Sequence, residues 1–295
     1  MNDNMRVLIY GHKGWIGGMF IDLLSKMENC KVFFGNLRVD NEYLEDEIIR
    51  IRPTHIVSTI GRTHGVHCGR EYKTIDFLEQ EGRILDNVRD NLFCPLQLAI
   101  LCQKMDIHFT YLGTGCIFEY DDKHLINSNK GFTEKELPNF FGSSYSVVKG
   151  FTDRLMKNFQ DCCLNLRIRM PITGDRNSRN FITKITSYEK ICSMPNSMTV
   201  LPSLLPLACK MMRMRICGTI NLTNPGVISH NEILTMYREI VDPNFTWKNF
   251  TIEEQDQILA ARRSNNMLDT TRLTALFPKV PNIKDAVCSV LHKMK

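Results

Sequence analysis

Several features are missing from this 295-residue sequence, and each absence excludes something. No apolar run reaches the 18 or more residues of a membrane span; Cys94 to Cys102 is among the longest and is too short. The eleven cysteines contain no C-x-x-C pair, and Cys162 and Cys163 are simply adjacent. An odd set without framework spacing reads as free thiols that pack as small hydrophobes in a cytosolic chain. The eight histidines do not fall into H-E-x-x-H or H-x-x-x-H with carboxylates nearby, so no metal is expected. The start, Met1-Asn2-Asp3-Asn4, lacks a basic segment leading into an apolar one, so no secretory signal is expected and the protein reads as cytoplasmic. There is no internal repeat, no low-complexity stretch and no long basic block. Lysine and arginine number 37 against 32 acidic residues, a net charge of +5, and they are scattered. A nucleic-acid binder usually clusters its charge in a stripe. A mild positive charge also suits anionic small molecules such as nucleotides, and composition alone does not choose.

What is present is an ordinary globular composition, 43% hydrophobic and 23% charged. At roughly 100–200 residues per domain, the length allows one large domain or two intimate ones. The first half alternates short apolar runs with helical periodicity. Strands are expected at Arg6–Tyr10, Lys31–Phe34, His55–Ile60, His108–Leu112 and Leu164–Arg169. Helices are expected at Trp15–Met27, Tyr43–Ile51, Asn91–Met105 and Ser144–Phe159. Gly131 to Gly142 reads as a loop and Asn177 to Pro206 as irregular. Thr219–Leu222 reads as one further strand, and Ser229–Val241 as a helix with Ser229 and Glu232 forming a capping box. Alternation of this kind implies an α/β fold with a doubly wound parallel sheet covered on both faces. The expected division is a nucleotide-binding domain over 1–170, with a return near 206–228, and a smaller α/β substrate-binding part over 171–295.

The first strand runs into Gly11-His12-Lys13-Gly14-Trp15-Ile16-Gly17 and then a helix. Glycine allows the tight turn and lets backbone approach a pyrophosphate, and the helix N-terminus offers free N–H groups. The spacing G-x-x-G-x-x-G in this context points to a Rossmann-type dinucleotide site at Gly11, Gly14, Trp15, Ile16 and Gly17. The end of the second strand, where an NAD site usually carries an acid, reads Phe34-Gly35-Asn36-Leu37-Arg38. Asn36 and Arg38 suit a 2′-phosphate, so NADPH is the expected cofactor. Ile60, Gly61 and Arg62, beyond the third strand, and Met170, beyond the fifth, are expected to line it. Thr63 is expected to touch substrate.

Tyr145 and Lys149 stand at i and i+4 on one helix face. A nearby ammonium lowers a tyrosine pKa, and such a tyrosine donates a proton to a carbonyl oxygen while hydride arrives at carbon. Thr114 ends the fourth strand, where ligands of open α/β sheets bind, and its hydroxyl suits the same oxygen. Cys116 lies two residues on and, in extended backbone, faces the same side.

Together these residues resemble the pattern of the extended short-chain dehydrogenase/reductase superfamily. Longer blocks narrow the resemblance: Leu112–Tyr120 (LGTGCIFEY), Pro138–Lys149 (PNFFGSSYSVVK), Arg167–Thr173 (RIRMPIT), Arg179–Ile185 (RNFITKI), Pro195–Leu201 (PNSMTVL), Asn224–Asn231 (NPGVISHN) and Arg263–Asn266 (RSNN). Over nearly its whole length the chain resembles the bifunctional UDP-4-keto-6-deoxyglucose 3,5-epimerase/4-reductases. These make UDP-L-rhamnose, either alone, including in giant viruses, or as the C-terminal half of plant rhamnose synthases.

The resemblance implies that Thr114, Tyr145 and Lys149 carry the reduction, and Cys116 and Lys184 the acid–base work of epimerisation. GDP-fucose synthases use a Cys and a His for that task, which supports Lys184 by analogy. Asn180 and Arg263 lie in family-like blocks and are expected to bind the UDP portion. A homodimer is implied, through the helices around Asn91–Cys102 and Tyr145–Met156, and a separate UDP-glucose 4,6-dehydratase is expected to supply the 4-keto sugar. Simpler dTDP-4-keto-rhamnose reductases carry aspartate where this chain has Gly115. That departure favours the bifunctional reading over a plain 4-keto reductase. A non-catalytic NADP-binding subunit or sensor is the other alternative, and such proteins often lose the Tyr or Lys kept here.

Overall fold

A computed structural model describes residues 4–295; Met1–Asp3, on which the reading of the N-terminus partly rests, lie outside the described residues. The first half runs β1 (Met5–Tyr10), α1 (Trp15–Leu24), β2 (Cys30–Phe34), α2 (Leu44–Ile51), β3 (His55–Ser58), the hairpin β4 (Gly65–His67) and β5 (Arg70–Tyr72), α3 (Ile84–Val88), α4 (Cys94–Lys104), β6 (His108–Thr114) and α5 (Ser144–Met156). The remainder runs β7 (Cys163–Ile168), β8 (Pro171–Ile172), α6 (Phe181–Thr186), β9 (Lys190–Ile191), β10 (Thr199–Val200), α7 (Leu201–Arg213), β11 (Gly218–Asn221), α8 (His230–Ile240), β12 (Lys248–Asn249), α9 (Ile252–Ile258), α10 (Thr271–Leu276) and α11 (Ile283–Leu291).

Six strands form one parallel sheet in the order β11-β7-β6-β3-β1-β2. The sequence explains both faces. Val7 and Ile9 of β1 meet Phe20 and Leu24 of α1 and Leu201, Leu204, Leu205 and Ala208 of α7. Leu8 and Tyr10 point the other way, into Leu44 and Ile48 of α2 and Leu98, Ala99 and Cys102 of α4. Strand side chains alternate, so a run apolar at every position needs cover on both sides. A separate core joins α6, α8 and α11 through Ile182, Ile185, Ile233, Leu234, Val287 and Leu291.

The stretch read as irregular, Asn177 to Pro206, contains α6 and opens α7. α7 hides from a periodicity search because Pro202 opens it and Pro206 sits inside it. Proline is acceptable in the first turn but removes a backbone donor further in. Seven buried residues, among them Leu204, Leu205, Ala208 and Met212, hold the helix regardless. All eleven cysteines are free. Among the described residues no helix is long and apolar enough to cross a membrane.

Candidate active site

The C-terminal ends of β1, β3 and β6 open on one side of the sheet, where crossover topology leaves a crevice. Gly11 takes the left-handed φ of +83°, and a Cβ there would lie 2.6 Å from Thr59 Oγ1. A Cβ on Gly17 would come within 2.3 Å of the Gly11 carbonyl oxygen, so α1 packs against its own turn as only glycine permits. Gly14 is the N-cap of α1 and supplies no side chain, leaving first-turn N–H groups for an anion. Trp15 and Ile16 pack partly into the core beneath. A groove of about 220 Å³ over this turn is lined by Gly11, Gly14, Arg38 and Ile60, and also by Lys13, which sequence reasoning did not single out. Arg38 forms an exposed ion pair with Asp40 at 3.0 Å. Asn36 lines the neighbouring hollow instead, and its N–H donates to Glu47, whose other oxygen accepts from Tyr10 Oη at 2.8 Å.

Beyond β3, Gly61 and Arg62 rest on a π-helical turn, Arg89–Phe93, that links α3 to α4. Arg62 donates to the Asp90 carboxylate at 2.8 Å, and its N–H to Asn91 Oδ1 at 3.0 Å. Neither acceptor was visible in the sequence as a site residue. The extra residue in such a turn shifts side-chain direction, a feature that tends to cluster at functional sites.

The reductase candidates come together at the end of β6. Ser143 caps α5 and starts the helix that carries Tyr145 and Lys149. The neighbouring Thr114 hydroxyl pulls the Tyr145 pKa down, but burial and the nearby Cys116 outweigh this and the pKa stands raised. The expected lowering by Lys149 is therefore not found. The lysine runs instead toward the sheet, where Nζ donates to Tyr111 Oη and approaches the Leu112 carbonyl at 3.5 Å. Burial lowers Lys149 to about 7, with Asp153 and Cys116 acting in the opposite direction. A shared helix face makes neighbours of Tyr145 and Lys149; the packing around each decides where its tip goes.

Cys116 is half-buried. Its N–H donates to Thr114 Oγ1 at 3.1 Å, and its carbonyl accepts from Ser146 Oγ at 2.7 Å.

Lys184 lies on α6 in a second group. Burial, Arg179 and Arg263 lower its pKa. His64 bonds Arg179 and is lowered to about 4 by burial and by Arg179, Arg62 and Lys184. Arg263 pairs with Asp76. Thr63 bonds His64 Nδ1 at 3.2 Å. Asn180 is fully buried as the N-cap of α6; its amide accepts from the Thr173 and Ile182 N–H groups and donates to the Thr173 and Asp175 carbonyls. Those bonds commit its side chain to the loop in front of Lys184. Met170 has the left-handed φ of +40°, unusual for a non-glycine residue, and packs against the core of α6, α8 and α11. No hydrogen bond or ion pair joins Cys116 to Lys184 among the described residues. Among them too, no cluster of His, Cys, Asp or Glu could hold a metal.

No family model matches the chain. A protein of Acanthamoeba polyphaga mimivirus, L780, is 53% identical over 291 residues, covering 99% of both chains. A crystal structure of L780, described as a UDP-rhamnose synthase, superimposes with a TM-score of 0.93 over 99% of this chain and 100% of that one. A bifunctional dTDP-4-dehydrorhamnose 3,5-epimerase/reductase of Arabidopsis thaliana is 42% identical over 288 residues, 97% of this chain and 92% of the plant protein. The chain belongs to this rhamnose-synthase family of epimerase/reductases. A dTDP-4-dehydrorhamnose reductase of Bacillus anthracis, solved with NADP, shares the fold at a TM-score of 0.77 and 18% identity, covering 96% of this chain and 97% of that one. Membership makes the chain an enzyme and places its fold among the extended reductases.

Proposed function

We propose that this protein converts UDP-4-keto-6-deoxy-D-glucose to UDP-β-L-rhamnose by 3,5-epimerisation followed by NADPH-dependent reduction at C4. The observation that carries the reading is the convergence of Thr114, Cys116 and Tyr145 at the end of β6, in a member of this family. Two hydroxyls and a thiol share one small volume there.

A C4 ketone acidifies the hydrogens on C3 and C5. The Cys116 thiolate removes one and becomes a thiol. The Lys184 ammonium returns a proton on the opposite face and becomes an amine. Exchange with water resets both. Thr114 and Tyr145 hold the C4 oxygen, so the charge that develops on it as enolate is stabilised by donors already in place. The same pair serves the reduction, where Tyr145 gives its proton to the C4 oxygen. Its raised pKa keeps that proton in place at neutral pH. The Gly11–Gly17 turn, whose close packing brings the uncapped N-terminus of α1 to the groove, suits the pyrophosphate of NADPH, and Lys13 and Arg38 its 2′-phosphate. NADPH, when bound, supplies hydride to C4.

The cationic group Arg179, Lys184 and Arg263, with Thr63 and Arg62 beside it, suits the UDP diphosphate. We read 1–170 with β11 as the cofactor-binding part and most of 171–295 as the substrate-binding part, joined by α7. Large exposed apolar side chains on α3, α4, α5 and the π turn, among them Leu85, Phe93, Ile100 and Phe151, favour a homodimer through these helices. The 4-keto sugar comes from a separate UDP-glucose 4,6-dehydratase, in the cytoplasm. Mixing protein, UDP-4-keto-6-deoxyglucose and NADPH tests the reading: NADPH should be consumed in step with rhamnoside formation, and NADH should serve poorly. Equal turnover with NADH removes the 2′-phosphate assignment; no consumption of either removes the reductase.

A further inference from the structure

Arg169 is among the most deeply buried charged side chains of the molecule, only 1% exposed, and no carboxylate accompanies it. Every acceptor around its guanidinium is neutral. Nε donates to the Ser197 carbonyl at 3.2 Å. One terminal nitrogen donates to the Gly115 carbonyl at 2.8 Å and to Ser264 Oγ at 2.9 Å. The other donates to Asn196 Oδ1 at 2.6 Å and to the Ser264 carbonyl at 3.0 Å. Buried charges are nearly always paired, because leaving water is costly. The contrast within this chain is direct: Arg167, two residues earlier and equally buried, is bonded through two nitrogens to the Asp153 carboxylate at 2.7 and 2.9 Å.

The uncompensated charge lies directly beneath the turn that carries the thiol. A Cβ on Gly115 would sit 3.0 Å from both Cγ and Cδ of Arg169, so the guanidinium arm occupies the space a side chain at that position would need. The Gly115 carbonyl also accepts from Asn266 Nδ2 at 3.0 Å. That peptide is polarised from its oxygen end, and its other end is the Cys116 N–H that donates to Thr114 Oγ1. Arg169, Gly115, Cys116 and Thr114 thus form one chain of hydrogen bonds leading from a fixed positive charge to the hydroxyl at the oxygen site.

We propose that Arg169 is a positioning residue for epimerisation, a fixed internal cation whose field favours the Cys116 thiolate and whose bonds set the Gly115–Cys116 turn. This rests on the assignment of Cys116 as the epimerisation base. The other groups facing Cys116 do not offer the same constant charge. Lys149 of α5 titrates near neutrality, and Tyr145 of α5 is an acid kept protonated by burial. Thr114 is neutral.

The test is Asn196→Asp, which keeps the acceptor against Arg169 and adds the missing carboxylate. Iodoacetamide alkylation of the Cys116 peptide is followed by mass spectrometry across pH, with the exposed Cys68 peptide as an internal standard. Only chain that retains NADPH is scored, so unfolded protein is excluded. The midpoint for Cys116 should rise by about one pH unit, an about tenfold slower alkylation at neutral pH, with solvent-deuterium uptake into the sugar falling alongside. Arg169→Lys, which keeps the charge and loses the fork, should leave the midpoint near that of the wild type. A wild-type midpoint in Asn196→Asp overturns the role of Arg169, as does a midpoint raised equally in both variants. Failure of the wild-type enzyme itself to exchange C3 and C5 hydrogens overturns the underlying assignment of Cys116 instead.

Discussion

In the proposed mechanism Cys116, Tyr145 and Lys184 divide two reactions between three side chains, so single substitutions should separate them. Cys116→Ser should retain NADPH binding and lose deuterium uptake at C3 and C5; full uptake would remove the thiol from the mechanism. Tyr145→Phe should keep the exchange, since Thr114 still holds the oxygen, while C4 reduction falls by about 100-fold or more. Unchanged reduction would show that another group supplies the proton. As candidates, Tyr145 and Lys149 were legible from their i and i+4 spacing and Thr114 and Cys116 from their place beyond a strand, whereas Lys184 came only from the family resemblance. Arg169 was not legible. Its partners Gly115, Asn196 and Ser264 lie 54, 27 and 95 residues away, and no spacing rule brings those distances together. Nor was the direction of Lys149, which depends on the unrelated Tyr111.

At the scale of elements, the turn into α1 is the most constrained. Gly17→Ala places a methyl group 2.3 Å from the Gly11 carbonyl oxygen. The turn must open, so NADPH affinity should fall by at least tenfold, measured by fluorescence titration; wild-type affinity would mean the turn does not contact the cofactor. At the other end of the chain, Ser229 and Glu232 form the capping box read from the sequence. Ser229→Ala should lower stability by about 1 kcal/mol in urea titration, with little effect on NADPH binding. All six sheet strands were readable because continuous apolar runs between helices admit few alternatives. The hairpin β4–β5 was not, since it has only three residues per strand and an exposed Val66. α7 was hidden by its prolines, and its cover over β1 and β7 became visible only in three dimensions.

For the whole molecule, acid should act through histidines held neutral by burial, His64 and His230 as well as a pair at the base of the sheet. His55 and His108 stand on adjacent strands with ring centroids 5.2 Å apart; His55 Nε2 donates to the Met212 carbonyl and His108 Nε2 to the Ile216 carbonyl, and His55 Nδ1 bonds Thr54 Oγ1. Burial, aided for His55 by His108 and Arg215, lowers the His55 pKa from 6.5 to about 4, and burial lowers that of His108 too. The folded protein therefore binds fewer protons than the unfolded chain between about pH 6.5 and 4, and stability must fall as pH drops through that window. His55→Gln should flatten the fall in urea midpoint between those limits; an unaltered slope would place the acid sensitivity elsewhere. The proposed function puts both activities on one chain around one oxygen-binding site. Its most direct measurement is the proton NMR spectrum of the product formed in D₂O from UDP-4-keto-6-deoxyglucose and NADPH. UDP-L-rhamnose carrying deuterium at C3 and C5 is expected. A protiated, unepimerised 6-deoxy sugar, formed with NADPH consumption, would contradict it and leave a 4-keto reductase in which Cys116 and Lys184 have no acid–base part.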